Sequence, residues 1–171
     1  MKRFLIAAAA AGLFSTSALA ANALKIDTSK NCSFTIQLFS TLAPKHVAQV
    51  TKLAASGFYN GIIFHRVIPG FMAQTGDPTG TGAGGSKEPN LVAEFSPTHY
   101  KRGTVGMART NDPDSANSQF FIMFTEIPGN QLDGKYTVIG EVNEDGMKCV
   151  DQIAKGEPPA NPDKMIKVTV Q

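Results

Sequence analysis

Apolar and polar residues alternate over residues 24–28 and again over 33–39, so each segment carries one hydrophobic face, the pattern of a half-buried strand. Ser29, Lys30 and Asn31 separate them and predict a hairpin turn. The period then lengthens. Val47, Val50, Leu53 and Ala54 fall at helical spacing, with Thr41 placed to cap that helix, Pro44 in its first turn and Gly57 at its end. Two apolar runs, 62–68 and 71–73, flank Pro69 and Gly70, a pair that marks a turn. Beyond a loop over 77–90 dense in Gly and Pro, short strands are predicted at 91–95, 103–109, 119–125, 136–142 and 165–170. Met147, Val150 and Ile153 predict a second helix over 143–154, and the Pro-rich stretch 156–162 a rigid connection into the last strand.

Many short strands, turn residues between them and only two helices indicate a mainly β domain, closed or nearly so to hide its strand edges. A length of 171 residues suits one domain. Residues 1–20 are expected to stand outside it. Lys2 and Arg3 form a positive start, 4–14 an apolar run too short to span a membrane, and Ala18, Leu19 and Ala20 an A-x-A cleavage site, the layout of a secretory signal peptide. The domain is therefore expected over 21–171, in an exported protein whose suggested address is the bacterial periplasm. Without the leader, 14 basic residues face 14 acidic ones. With no basic run left, neither nucleic acid nor a membrane surface is an expected partner, and a monomer is the default. Cys32 and Cys149 leave two readings: one disulfide in an oxidising compartment, or two small buried hydrophobes, which their placement at a strand start and in a helical pattern favours.

Several chemistries are excluded by spacing. Gly80 to Gly85 contains a G-x-G-x-x-G match, but Asp77-Pro78 precedes it and Pro89 follows soon after. The strand-to-helix context that a pyrophosphate needs is missing, and a flexible loop is the expectation. His46, His65 and His99 fit no metal-binding spacing; His46 reads as a solvated or capping side chain, His65 as a packed one. No serine sits in a nucleophile elbow, and no carboxylate pair stands out for acid–base work. Any reaction performed here should need no metal or cofactor. What remains is a cation, Arg66, close in sequence to Phe71, Met72 and Gln74, with three further segments at 108–110, 118–121 and 131–134. Together they suggest a shallow apolar pocket with a few hydrogen-bonding groups around it.

Those segments carry a resemblance. F-H-R-V-I-P-G-F-M-A-Q at 64–74, G-A-G-G at 82–85, M-A-R at 107–109, S-Q-F-F-I at 118–122 and L-D-G-K at 132–135 are similar, in order and spacing, to the cyclophilin family of peptidyl-prolyl cis–trans isomerases. The resemblance runs from about Leu24 to the C-terminus. It implies a closed eight-stranded antiparallel barrel capped by two helices, with a filled interior and the active groove on its outer face. It also implies that Arg66 is the catalytic residue and that Phe71, Met72, Phe121 and Leu132 line a proline pocket. Gln74 and Gln119 would supply amides, Gly82, Ala108 and Arg109 would border the peptide, and Tyr136 would form an aromatic wall. The implied partner is a proline-containing segment of an unfolded or folding protein, and no cofactor is implied. The chain departs from the eukaryotic pattern at Gln131, where Trp is usual, and at Tyr136, where His is frequent; a longer loop over 125–130 precedes them. The missing Trp implies weak binding of cyclosporin.

Overall fold

A computed structural model describes residues 22–171; the expected signal peptide lies outside the described residues. Eight strands form one antiparallel sheet: β1 Ala23–Thr28, β2 Ser33–Leu38, β3 Arg66–Ile68, β4 Met72–Thr75, β5 Thr104–Met107, β6 Phe120–Met123, β7 Val138–Val142 and β8 Met165–Val170. Helix α1, Pro44–Ala55, follows β2, and α2, Glu144–Val150, follows β7. The strand order is β3-β4-β6-β5-β7-β2-β1-β8. The barrel is therefore not closed by a ladder, as expected, but open between β3 and β8. No ladder joins β3 to β8. The chain before β3 meets the start of β8 through the Ile63–Lys164 bridge and the bonds of Gly61 N–H to the Met165 carbonyl and Phe64 N–H to the Asp163 carbonyl. β3 itself meets the connection before β8 through the Val67–Gly156 bridge.

Alternation along β3, β4 and β6 sends side chains to two apolar layers. Val67, Ala73, Phe120 and Ile122 enter the main core with Leu24, Ile26, Ile36, Val50, Met107, Ile139 and Met147. Met72, Phe121 and Met123 join Tyr100 and Val138 in a smaller second cluster, against which Ile68, Phe71, Ala108, Leu132 and Tyr136 pack. A sheet that is apolar on both faces must cover its second face or use it.

The cap of α1 and the length of α2 differ from the expectation, while Gly57 ends α1 as expected. Thr41 does not cap α1: its N-cap is Ala43, with no side-chain bond of its own. The free amides of the first turn are instead taken by a distant carboxylate. Glu94 accepts from the N–H groups of Lys45 (3.1 Å) and His46 (3.0 Å) and lies 2.6 Å from His46 Nδ1. His46 is thus fully buried rather than solvated. At the other end Gly57, at a φ of 76°, allows a Schellman closure in which Phe58 N–H donates to Leu53 and Gly57 N–H to Ala54. Helix α2 is shorter than predicted. Asn143 caps it by accepting from Gly146 N–H at 2.8 Å, and Ile153 is buried in a turn beyond its end.

The predicted strand at 91–95 is a strap. Its amides go to scattered partners: Leu91 N–H to the Ala116 carbonyl, Ala93 N–H to Asp114 Oδ1 and Glu94 N–H to Thr137 Oγ1. Side chains and one bridge satisfy its backbone, so no ladder forms. The cysteines, expected more readily as separate buried groups, form a disulfide across a sequence separation of 117, with Cα atoms 5.8 Å apart. It ties α2 to the β1–β2 hairpin. By loop-closure entropy a link across so long a loop stabilises the fold by up to about 5 kcal/mol.

Candidate active site

Register assembles the site. Arg66 on β3 stands opposite Gln74 on β4, Gln74 opposite Phe121 on β6, and Phe121 opposite Gly106 on β5. Residues paired in this way share one face of a sheet, so a cation, an amide and an aromatic ring lie in one row across the strands. One register step along, Ile68, Met72 and Met123 form a parallel apolar row. Gly106 completes the arrangement by having no side chain. A Cβ there would lie 2.7 Å from Phe121 Cζ and would strike the Tyr100 ring. Tyr100 and Phe121 stack across the gap with centroids 5.8 Å apart, and Tyr136 meets Phe121 edge-on at 5.8 Å.

These groups line an open cavity of about 120 Å³ bounded by Arg66, Phe71, Met72, Gln74, Ala108, Arg109, Phe121, Leu132 and Tyr136. Nine of the residues singled out from the sequence therefore meet at one place. The other two, Gly82 and Gln119, line a neighbouring hollow of about 350 Å³, which shares Gln74, Ala108 and Arg109 with the first. Arg66 donates from Nε to Glu157 Oε1 at 2.5 Å, and its Cζ lies 6.0 Å from the centroid of the Phe71 ring. Among the described residues its two Nη groups have no hydrogen-bond partner.

The amides are not equally available. Gln119 spends its NH₂ on the carbonyls of Gly82 (3.0 Å) and Gly84 (2.8 Å), and its Oε1 accepts from Gln74 Nε2 at 2.8 Å. It braces the wall between the two hollows, whereas Gln74 keeps its carbonyl and one N–H unbonded among the described residues. Arg109 likewise turns its guanidinium to the chain, donating to the carbonyls of Lys135 (3.0 Å) and Thr110 (2.8 Å) and lying 4.6 Å from the Tyr136 ring centroid. Gln131, in the place of the usual Trp, donates back to the Pro128 carbonyl and does not line the cavity.

Several supporting residues escaped the sequence reading. The Gly-rich loop, expected to be flexible, is hydrogen-bonded throughout its first half to the buried Asp77 carboxylate. Oδ1 accepts from Thr79 N–H (2.7 Å) and Thr79 Oγ1 (2.8 Å), and Oδ2 from the N–H groups of Gly82 (2.6 Å), Gly84 (3.1 Å) and Thr81 (3.1 Å). Burial alone would raise the pKa of Asp77, but the bonds from Thr79, Gly84 and Gly82 outweigh it and hold the group at about 2. The anion in this glycine nest is the protein's own. The Asp-Pro-Thr start of the loop was the available signal, since Asp bonds amides two residues on.

Asp133 does comparable work for Leu132. Its carboxylate accepts from Tyr100 N–H at 2.9 Å and lies 2.7 Å from His99 Nδ1, while His99 Nε2 lies 3.2 Å from Glu126. The Asp133 bond, joined by Glu126, raises the pKa of His99, and the His99 bond lowers that of Asp133. No local pattern announces these ties, because 34 residues separate His99 from Asp133.

Comparison with known proteins agrees with this geometry. The family model described as "Cyclophilin type peptidyl-prolyl cis-trans isomerase/CLD" matches residues 23–170. A "Probable peptidyl-prolyl cis-trans isomerase" of Brucella suis is 51% identical over 158 residues, covering 83% of this chain and 79% of the relative. "Peptidyl-prolyl cis-trans isomerase-like 1" of Aspergillus niger is 44% identical, with 74% and 78% covered. Among solved structures, a Cryptosporidium parvum cyclophilin superposes with a TM-score of 0.78 at 30% identity, over 88% of this chain and 97% of that one. Its crystal structure in the presence of the dipeptide Ala-Pro gives 0.77 at 30% identity, over 87% and 98%. The chain belongs to the cyclophilin-type peptidyl-prolyl cis–trans isomerases, a family of enzymes that defines it as an isomerase.

Proposed function

We propose that the 120 Å³ cavity seats the proline ring of an X-Pro segment and that Arg66 is the catalytic residue. The observation that carries this reading is a guanidinium with both Nη groups unpartnered, on the rim of a hollow walled by Phe71, Met72, Phe121 and Leu132. An apolar cavity of about 150 Å³ accepts a benzene ring, so this volume suits a five-membered pyrrolidine. Gln74 offers a free carbonyl and N–H beside it, and Ala108 and Arg109 border the path of the peptide.

Rotation about a peptide bond breaks C–N conjugation against a barrier of about 18–20 kcal/mol. No bond is cleaved, so what accelerates the step is preferential binding of the twisted state. In that state the imide nitrogen recovers its lone pair and accepts a hydrogen bond, which an always-charged guanidinium is suited to donate. The apolar walls hold the ring while the carbonyl side turns. Preorganisation supplies the part of the acceleration that one hydrogen bond does not.

The substrates on this reading are proline-containing segments, and the Ala-Pro dipeptide present with the C. parvum relative supports it. The N-terminal pattern Lys2-Arg3, 4–14 and Ala18-Leu19-Ala20 supports export to the periplasm, with a role in folding exported proteins. The Brucella relatives support a bacterial source. Gln131 lying away from the cavity supports weak cyclosporin affinity.

Phe121→Ala tests the pocket. Removing the ring that meets both Tyr100 and Tyr136 should weaken affinity for an Ala-Pro peptide about tenfold, as expected for losing a large packed aromatic side chain. Isothermal titration measures it, and an unchanged Kd would remove the ring from the binding site. Refolding of an exported, proline-limited client with wild-type and Arg66→Ala protein separates isomerisation from simple holding, since only the former requires the guanidinium.

A further inference from the structure

We infer that Glu157 is a positioning residue for Arg66, an inference that rests on the catalytic role proposed for that arginine. The two side chains are 91 residues apart in sequence, yet backbone pairing places them face to face. Val67 and Gly156 exchange both hydrogen bonds across an antiparallel bridge, each at 2.8 Å. In such a bridge the residue before one partner stands opposite the residue after the other, which is Arg66 against Glu157. Gly156 lets the following turn, which carries Glu157, fold back tightly: its φ is 145°, and a Cβ there would lie 2.6 Å from the Pro159 Cα.

The chemistry of the contact is selective. Glu157 takes only the Nε–H of Arg66. That one bond fixes the plane of a guanidinium on a long, rotamer-rich side chain, while both Nη groups stay available to a substrate. Phe71 lies against the cation, with its ring centroid 6.0 Å from Cζ. Arg66 and Glu157 are 41% and 52% exposed, so the pair is a surface ion pair that contributes little to stability. Its effect belongs to orientation.

The test is a double-mutant cycle on an Ala-Pro peptide. Glu157→Ala should lower kcat about threefold to tenfold while KM moves by less than about twofold, because only the geometry of a transition-state contact is lost. Glu157→Gln, whose amide oxygen still accepts from Nε, should restore most of the rate. In an Arg66→Ala background Glu157→Ala should change nothing further. Thermal unfolding of each variant should match the wild type. Three results would overturn the inference: kcat unchanged or raised in Glu157→Ala, Glu157→Gln as impaired as Glu157→Ala, or an equal loss with Arg66 absent. Wild-type protein that fails to isomerise the peptide would instead overturn the underlying catalytic reading.

Discussion

Arg66→Ala should lower kcat for an Ala-Pro peptide by about one to two decades and leave peptide affinity within about twofold. A charge-assisted hydrogen bond is worth about 1.5–3 kcal/mol, and each tenfold in rate needs about 1.4 kcal/mol. On the role proposed for it, the guanidinium bonds the imide nitrogen only once that atom has left planarity, so its loss should spare the ground state. Apolar contact with Phe71, Met72, Phe121 and Leu132 remains in the variant and carries affinity. Kinetics at saturating peptide, set beside calorimetric Kd values, separates the two quantities. A variant with wild-type kcat would show that Arg66 is not catalytic; a variant that lost affinity and kept kcat would make it a binding residue.

Asp77→Asn should produce the largest loss of stability among single polar changes. An amide keeps the acceptor for one set of donors but turns an NH₂ toward the other, either Thr79 or the amides of Thr81, Gly82 and Gly84. Leaving buried donors unpaired should cost about 2–4 kcal/mol, or roughly 5–15 °C in Tm for a chain of this size. The carbonyls of Gly82 and Gly84 also hold Gln119, so the wall between the two hollows should loosen as well. The pH dependence follows from the same contacts. With the folded-state pKa of Asp77 depressed to about 2, its contribution is fully present above the ordinary value of 3.8 and is lost as pH falls through about 2. Buried as Asp77 is, that contribution amounts to about 2 kcal/mol. Acid unfolding of wild type and variant should therefore converge below that pH. An Asp77→Asn protein with an unchanged Tm at neutral pH would show that the nest does not depend on its anion.

The local parts of this fold were legible because local physics sets them. Alternation located β1 and β2, and the apolar runs around Pro69 and Gly70 located β3 and β4. Helical spacing of Val47, Val50 and Leu53 located α1. Segment 91–95 has a strand-like composition, but its amides are claimed by Ala116, Asp114 and Thr137, partners that no window of neighbouring residues reveals. The cap of α1 failed to be read for the same reason, since Glu94 arrives from 49 residues beyond Lys45. Closure was overestimated because nothing in the sequence of β3 or β8 alone specifies that no ladder joins them.

The site divides in the same way. Motif spacing brought nine residues to one cavity, four of them, Arg66, Met72, Gln74 and Phe121, on strands and the others in the turns and loops beside them. The residues that hold them in place, Asp77, Tyr100, Asp133 and Glu157, act through contacts distant in sequence or through backbone amides. Gln119 shows the limit from the other side: its identity suggested an amide offered to a peptide, whereas its partners make it a brace.

The central claim is that a docked proline ring beside the Arg66 guanidinium lets the preceding amide twist. Exchange spectroscopy on a short Ala-Pro peptide, with the wild-type protein at catalytic concentration, tests it most directly, because it reads cis–trans interconversion without a coupled reaction. Interconversion at many times the uncatalysed rate, which corresponds to tens to hundreds of seconds, with the acceleration sharply reduced in Arg66→Ala, is the expected result. Exchange that stays at the uncatalysed rate with wild-type protein, or is accelerated equally by Arg66→Ala, would contradict the account.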